Sequence, residues 1–185
     1  PAAIFVPSGT MANQIAMLTH CRPGDDVLVG ERAHSVVYEA GGGAAIAGVQ
    51  FTQVGRGGHF TVDEVESAIS VTDAGNHTLN SSLLMVENSH NSGGGIVMSA
   101  PTFKSIVEVV KRHGLKVHID GARIFNAAAA AGRPVSDWGT HADSVSFCLS
   151  KGLGAPVGSM LCGSIDFIRR AHRARKMLGG GMRQA

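Results

Sequence analysis

One lysine and one aspartate in this chain are placed where they could act on an amino acid. Lys151 follows the apolar run VSFCL and precedes a glycine-rich turn, and Asp120 ends the run KVHID beside a glycine. A lysine amine can form a Schiff base with an aldehyde, and a carboxylate can keep a ring nitrogen protonated so that the ring withdraws electrons. The two residues together predict chemistry of the pyridoxal phosphate (PLP) type.

Lys151 differs from the other four lysines, which lie on or beside predicted helices: Lys104, Lys111, Lys116 and Lys176. Burial at a strand end lowers the pKa of a lysine amine and favours its nucleophilic form. A phosphate-binding or strand-capping role is the alternative for Lys151. Asp120 could instead cap a helix. His118 and Asp120 could contribute to a metal site, but no third ligand has matching spacing, so we expect no metal.

A phosphate-binding turn is indicated by Ser8-Gly9-Thr10, which lies between the apolar run 3–6 and a helix-like stretch 11–20. Backbone N–H groups at the start of a helix bind phosphate with help from the helix dipole, and a glycine lets the ligand come close. The same three residues also form an ordinary helix-capping turn, so the motif alone leaves both interpretations open.

The elements that position these residues alternate between strand and helix. Strands are predicted at 3–6, 26–30, 49–54, 82–88, 116–120, 145–149 and 159–163, and helices at 11–20, from about 35, from 61, at 99–113 and at 165–178. Repeated βα units predict an α/β fold, with a mostly parallel sheet covered by helices on both faces and ligands at the carboxyl ends of its strands. Lys151, Asp120, Ser8-Gly9-Thr10 and His90 all follow strands. We see no linker, which indicates one domain.

Composition restricts the class of protein. The chain has 185 residues, 44% of them apolar, and a net charge of +2, which is too small to predict binding to nucleic acid or membranes. It has no apolar stretch of membrane-spanning length. The cysteines are three in number, and all lie in apolar surroundings, which favours a reduced, cytoplasmic protein: Cys21, Cys148 and Cys162.

Six segments occur in an order that matches a known family: SGTMANQ at 8–14, ERAH at 31–34, ENSHNSGGG at 87–95, HIDGARIFNA at 118–127, SKGLGAPVGS at 150–159 and RKMLGGGMRQ at 175–184. Together they resemble the low-specificity threonine aldolases, which are fold type I PLP enzymes. The resemblance covers essentially the whole chain. It implies that residues 1–185 are a single PLP-binding large domain, without the N-terminal arm and C-terminal small domain of the family. It also implies a homodimer or homotetramer at full length.

The resemblance also assigns roles to individual residues. Gly9 and Thr10, with Ser8, would bind the cofactor phosphate. His34 would stack on the pyridine ring and could relay protons, and His90 would lie near the substrate hydroxyl. Arg123 would grip the substrate carboxylate and belong to the cofactor shell. Further cofactor-binding positions are Ser150, beside the Schiff-base lysine, and Lys176 and Arg183, which could equally belong to a solvated basic face.

The reaction implied by the resemblance is retro-aldol cleavage of threonine, allo-threonine and related β-hydroxy-α-amino acids to glycine and an aldehyde. His90, or a water that it orients, would take the hydroxyl proton, with His34 as the other candidate. Alternatives are another fold type I lyase activity such as β-elimination, and a non-catalytic fragment that only binds cofactor or dimerises. A dinucleotide-binding domain is disfavoured, since no GxGxxG follows the first strand.

Overall fold

The sheet of this protein has seven strands. In the computed structural model, which describes residues 1–71 and 77–183, the strands are β1 Ala2–Val6, β2 Asp26–Gly30, β3 Gln50–Val54, β4 Ser81–Glu87, β5 Lys116–Asp120, β6 Ser144–Cys148 and β7 Ser159–Gly163. Their order across the sheet is β1-β7-β6-β5-β4-β2-β3. The predicted α/β class is therefore confirmed, and the predicted strands match the observed ones to within a residue or two.

Only β7 runs against the direction of the other strands. The pairs β2–β3, β2–β4, β4–β5 and β5–β6 are parallel, whereas β7 is antiparallel to both β6 and β1. The reversal follows from chain length, because residues 149–158 join β6 to β7 without a helix. A parallel pair needs a crossover of a dozen or more residues, usually helical. The sheet is therefore mostly parallel, as predicted.

Helices cover both faces of the sheet. They are α1 Gly9–His20, α2 His34–Val37, α3 Val62–Ala68, α4 Ala100–Arg112, α5 Ile124–Ala131, α6 Ser136–Gly139 and α7 Ile165–Met177. The strands alternate between two apolar cores: Leu83 and Met85 of β4 pack with Met17 of α1, whereas Leu84 and Val86 pack with α4. This alternation is the period of two that a strand buried on both faces requires. Helices on both faces are thus confirmed.

The structure departs from the predicted helices at two places, because it contains α5 and α6, which the sequence analysis did not predict, and it interrupts the second predicted helix. Only His34–Val37 is α-helical, and a five-residue π-helical turn follows at Gly43–Ala47. Gly41 and Gly42 lie between the two, and Gly41 has a φ of +73°, which an α-helix does not allow. The short helix matters for the site because it ends just before Glu39, whose side chain turns inward.

Two helices near the site begin as their sequences predict. Ser8 caps α1, with its hydroxyl accepting a hydrogen bond from the Met11 N–H at 3.1 Å. Ser99 caps α4 in the same way, with a proline in the first turn. Within the described residues, no helix is both long enough and apolar enough to cross a membrane.

Candidate active site

A cleft of about 300 Å³ lies at the carboxyl ends of β4, β5 and β6, beside the start of α1. Its lining includes eight of the residues predicted from the sequence: Ser8, Gly9, Thr10, His34, Asp120, Arg123, Ser150 and Lys151. These residues come from five separate places in the chain, so the fold itself has brought them together. Asn13 and Glu87, which the sequence analysis did not name, also line the cleft. A larger cavity of about 480 Å³ contains none of the predicted residues and lies at the amino ends of β5 and β6.

Asp120 lies at the carboxyl end of β5 and is 4% exposed. Its Oδ1 accepts a hydrogen bond from the Ala122 N–H at 3.2 Å, and its Oδ2 accepts one from the Asn13 amide at 2.8 Å. Because both donors are neutral, they fix the carboxylate without neutralising it. A cationic group in the cleft would meet a charge that is already oriented, which strengthens a charge-assisted hydrogen bond.

Lys151 lies in the turn that follows β6, two residues beyond Leu149. The backbone of this turn is held at both ends, since the Leu149 and Ser150 N–H groups both donate to the Gly158 carbonyl at 3.0 and 3.2 Å. A Cβ at Gly152 would collide with the side-chain amide of Asn126, so the turn packs closely against α5. The side chain of Lys151 is half-buried, so the burial that we expected at the strand end is only partial.

The start of α1 forms the floor of the cleft on one side. The Ser8 hydroxyl accepts a hydrogen bond from the Met11 N–H, while Gly9 and Thr10 begin the helix and line the cleft. The first N–H groups of a helix have no partner within the helix, so they are available to an anion. A Cβ on Gly9 would lie 3.0 Å from the Cys148 sulfur, which shows how closely the helix start packs on β6.

His34 is the first residue of α2, and its side chain is 29% exposed. Its backbone N–H donates to Glu87 Oε2 at 2.8 Å, and its Nδ1 lies 3.3 Å from Glu39 Oε1. The hydrogen bond to Glu39 raises the pKa of His34 above its ordinary value. Burial opposes this rise, and the negative charges of Asp120, Glu39 and Glu87 add to it. His34 therefore presents a ring of increased basicity to the cleft.

Arg123 also lines the cleft and lies immediately before α5. One of its guanidinium nitrogens donates to Asn91 Oδ1 at 3.2 Å. The Asn91 N–H in turn donates to Glu87 Oε1 at 2.9 Å, so the arginine is oriented by a loop that Glu87 anchors. A guanidinium fork in a cleft is well suited to bind a carboxylate with two parallel hydrogen bonds.

His90 is the predicted residue that lies nearest to the cleft without lining it. The side chain is 2% exposed beneath Gly58, where an added Cβ would collide with the ring. Its Nδ1 accepts the Gly93 N–H at 3.1 Å, which places the proton of the neutral ring on Nε2. That Nε2 lies 3.6 Å from Glu87 Oε2. Glu87 is therefore the group that faces the cleft, with His90 behind it, and the role of His90 stays a prediction.

The two basic residues near the end of the described chain do not line the cleft. Lys176 lies in the last turn of α7 and is exposed, and Arg183 is also exposed. Both therefore belong to a solvent-facing part of this chain, and their phosphate-binding role stays a prediction. Gln184, the last residue of the motif that contains them, lies outside the described residues.

Three polar residues of the site were missed by the sequence analysis. Asn13, Glu39 and Glu87 are all buried, at 1%, 4% and 8% exposure. Asn13 carried a signal, since an amide in an otherwise apolar helix face needs a polar partner. Glu87 also carried a signal, because it ends an apolar strand, as Asp120 does, and the two residues are partners in the register of β4 and β5. Glu39 follows a short helix that the sequence did not delimit, so nothing local pointed to it.

The possible metal pair at His118 and Asp120 has another explanation. His118 is fully buried, and its Nδ1 lies 2.8 Å from the Ser144 hydroxyl. In the part of the chain that the structure describes, no three residues among His, Cys, Asp and Glu are grouped as metal ligands. The polar residues on this strand are therefore used in hydrogen bonds within the core.

Comparison with known proteins gives a consistent result. The beta-eliminating lyase family profile matches residues 1–185. The low-specificity L-threonine aldolase 1 of Arabidopsis thaliana is 46% identical over 99% of this chain, and the low specificity L-threonine aldolase of Escherichia coli K12 is 44% identical over 100%. The solved structure of a Leishmania major threonine aldolase superposes with a TM-score of 0.86 over 96% of this chain and 52% of its own length, at 24% identity, which supports the fold alone.

The match does not extend over the whole of these relatives. This chain covers 52% of the Arabidopsis protein and 54% of the Escherichia coli protein. The chain therefore spans about half the length of the curated relatives that it matches.

Proposed function

Because the chain belongs to the beta-eliminating lyase family, we propose that it carries the PLP-binding part of an enzyme that cleaves β-hydroxy-α-amino acids to glycine and an aldehyde, with threonine and allo-threonine as substrates. The observation that carries this proposal is the cleft that joins Lys151, Asp120, His34 and Arg123. The names of the relatives support the substrate class.

The residues of the cleft fit PLP. The ligand needs an amine for its aldehyde, an anion for its ring nitrogen and donors for its phosphate. Lys151 supplies the amine, the buried Asp120 supplies the anion, and the start of α1 at Gly9 and Thr10 supplies free N–H groups. Ser150 adds a hydroxyl to the same cleft. All three requirements are met by side chains or backbone that line one cavity.

When bound, PLP supplies an aldehyde that reacts with amines and a ring that accepts the electrons of the breaking Cα–Cβ bond. The residues of this chain then have separate tasks. Asp120 keeps a proton on the ring nitrogen, and Arg123 binds the substrate carboxylate and so fixes which bond faces the electron acceptor. Holding the reacting groups in place in this way lowers a barrier by several kcal/mol, roughly 7–11 in the most favourable cases.

Removal of the hydroxyl proton needs a base near Cβ. His34 is the stronger candidate, because it lines the cleft, is partly exposed and has a raised pKa. Glu87 also lines the cleft, and His90 Nε2 lies 3.6 Å from Glu87 Oε2. His90 would therefore affect the hydroxyl proton through Glu87. A base whose pKa lies near the working pH is the most effective.

A second candidate function is β-elimination, which the name of the family itself suggests. It uses the same lysine and aspartate but releases ammonia and a keto acid. Incubation of the full-length protein with PLP and threonine separates the two functions. The proposed reaction yields glycine and acetaldehyde in equal amounts, whereas ammonia and a keto acid without glycine would identify the elimination.

We further propose that residues 1–185 are a single large domain of a longer protein, and that the enzyme acts in the cytoplasm as a homodimer or homotetramer. The single-domain proposal is supported by the finding that this chain covers only about half of the length of its relatives. Three free cysteines support a reducing compartment. Light scattering of the full-length protein tests the oligomer, and a monomer at working concentration would refute it. If the chain bound PLP without any turnover, it would be only a cofactor-binding piece.

A further inference from the structure

Glu39 is a buried carboxylate at the edge of the cleft that the reaction described above does not use. Its side chain is fully buried, and it accepts hydrogen bonds from two amides. Asn13 Nδ2 donates to Oε1 at 2.8 Å, and Gln14 Nε2 donates to Oε2 at 2.8 Å. His34 Nδ1 lies 3.3 Å from the same Oε1. A buried carboxylate is costly unless such partners surround it, so its position requires an explanation.

Asn13 connects Glu39 to Asp120. The same amide nitrogen lies 2.8 Å from Glu39 Oε1 and 2.8 Å from Asp120 Oδ2, so each of its two hydrogens serves one carboxylate. The Ser146 hydroxyl lies 3.5 Å from the oxygen of that amide, which also orients it. The network therefore joins Glu39, just after α2, to Asp120 on β5 through one side chain of α1.

We propose that Glu39 is a positioning residue that orients His34 directly and Asp120 through Asn13, so that the two groups flanking the cofactor ring are held by one buried network. The assignment rests on the proposed function for what His34 and Asp120 do, but the network itself does not depend on it. Accepting a proton from Nδ1 fixes the tautomer of His34, so that Nε2 is the ring nitrogen left to act in the cleft.

The charge of Glu39 is what distinguishes this role from simple packing. The charged groups that face His34 are Glu39 itself, Asp120 from β5 and Glu87 from β4, and the hydrogen bond to Glu39 is the largest cause of its raised pKa. Removing the negative charge of Glu39 therefore lowers the pKa of His34, while Asp120 and Glu87 remain. A purely structural residue would change stability without this effect.

Glu39→Gln removes that charge with little change in shape. The new carbonyl oxygen can take the place of Oε1 and accept from Asn13 and His34. The new amide then faces Gln14, whose own Oε1 is buried without a hydrogen-bond partner among the described residues. Rotation of the Gln14 amide lets that oxygen accept from the new amide, so the hydrogen bond between residues 14 and 39 is kept. Glu108→Gln, on the exposed face of α4, is the matched control.

The decisive measurement is the titration of His34 by NMR in the full-length protein without PLP, with histidine labelled and the His34 signal identified by its loss in His34→Gln. We expect the parent and the Glu108→Gln variant to have the same raised pKa, and Glu39→Gln to have a lower one. With PLP, the acid limb of the pH profile for threonine cleavage should move to lower pH, and kcat should fall about tenfold.

An unchanged pKa of His34 in a folded Glu39→Gln variant would overturn the proposal. If Glu39→Gln does not fold, the second variant is Glu39→Asp, which keeps the charge but moves it away from His34 by one methylene. In that variant, a His34 pKa equal to that of the parent would also overturn the proposal. If the parent itself fails to cleave threonine, the proposed function is wrong, whereas the titration in the protein without PLP still decides the role of Glu39.

Discussion

Two histidines in the interior, His118 fully buried and His20 partly buried, should make this protein sensitive to mild acid. His20 Nε2 and His118 Nδ1 each lie 2.8 Å from the Ser144 hydroxyl, and His20 stacks on Phe167 with ring centroids 4.6 Å apart. Burial lowers the pKa of His118 to about 3 and that of His20 to about 4, from an ordinary value of 6.5. Both rings are therefore neutral in the folded protein at pH 5 but protonated in the unfolded chain.

The sign and size of the effect follow from proton linkage. Below pH 6.5 the folded state binds fewer protons than the unfolded state. The contribution of the two neutral histidines to the free energy of unfolding is therefore fully present above pH 6.5 and is lost as the pH falls towards 4 and 3. Each pH unit in this range costs about 1.4 kcal/mol per histidine, or about 4 kcal/mol for the pair between pH 7.5 and pH 5.0. Since domains have only about 5–15 kcal/mol of stability, the loss is substantial.

The assay is urea unfolding of the full-length protein at the two pH values. His34 acts in the opposite direction, because its raised pKa adds stability below 6.5 that disappears as the pH rises through the folded value. A single variant separates the contribution of His118 from those of His20 and His34. His118→Gln does not titrate, so it should lose about 2 kcal/mol of the pH dependence. His113→Gln, at an exposed position, is the control for the effect of a histidine-to-glutamine substitution as such. Equal pH dependence in the parent and in His118→Gln would show that burial of His118 does not lower its pKa.

Three further substitutions test separate parts of the site. Asp120→Asn should leave the fold intact and PLP bound, but should lower kcat by orders of magnitude because the ring loses its anionic partner; near-normal turnover would exclude activation from this position. Arg123→Lys should raise KM for threonine with little change in PLP affinity, since an ammonium cannot replace a guanidinium fork, and parallel losses of both would place Arg123 in the cofactor shell alone. Gly58→Ala should lower the free energy of unfolding by about 1–3 kcal/mol, because Gly58 has a φ of +86° and an added Cβ meets His90; unchanged urea unfolding would contradict the packing of that loop.

The sequence predicted the architecture well because its signals are local. Strand-like runs such as VQFTQV at 49–54 are followed by helices with capping residues such as Thr61. This alternation along the chain implies a parallel sheet with its sites at the carboxyl edge. The reversed β7 could have been inferred from the short connection 149–158, which is too short for a helical crossover. The break at Gly41–Gly43 was harder to foresee, because alanines surround these glycines and favour a helix.

From position alone, the sequence predicted only those site residues that directly follow a strand. Lys151, Asp120 and the turn at Ser8 have that position, and the resemblance added His34 and Arg123. The supporting network of Asn13, Glu39 and Asp120 could not be predicted, since its members are 26 and 107 residues apart. Such contacts depend on how helices dock on the sheet, and no local pattern encodes them.

If Lys151 forms the Schiff base with PLP, borohydride reduction will attach the pyridoxyl group to this lysine permanently. The full-length protein is incubated with PLP, reduced with borohydride and digested, and the peptides are mapped by mass spectrometry. We expect the pyridoxyl group on the peptide that contains Lys151, and its absence from that peptide in a Lys151→Ala variant. Pyridoxyl on Lys176 or another lysine of the parent, with Lys151 unmodified, would contradict the account.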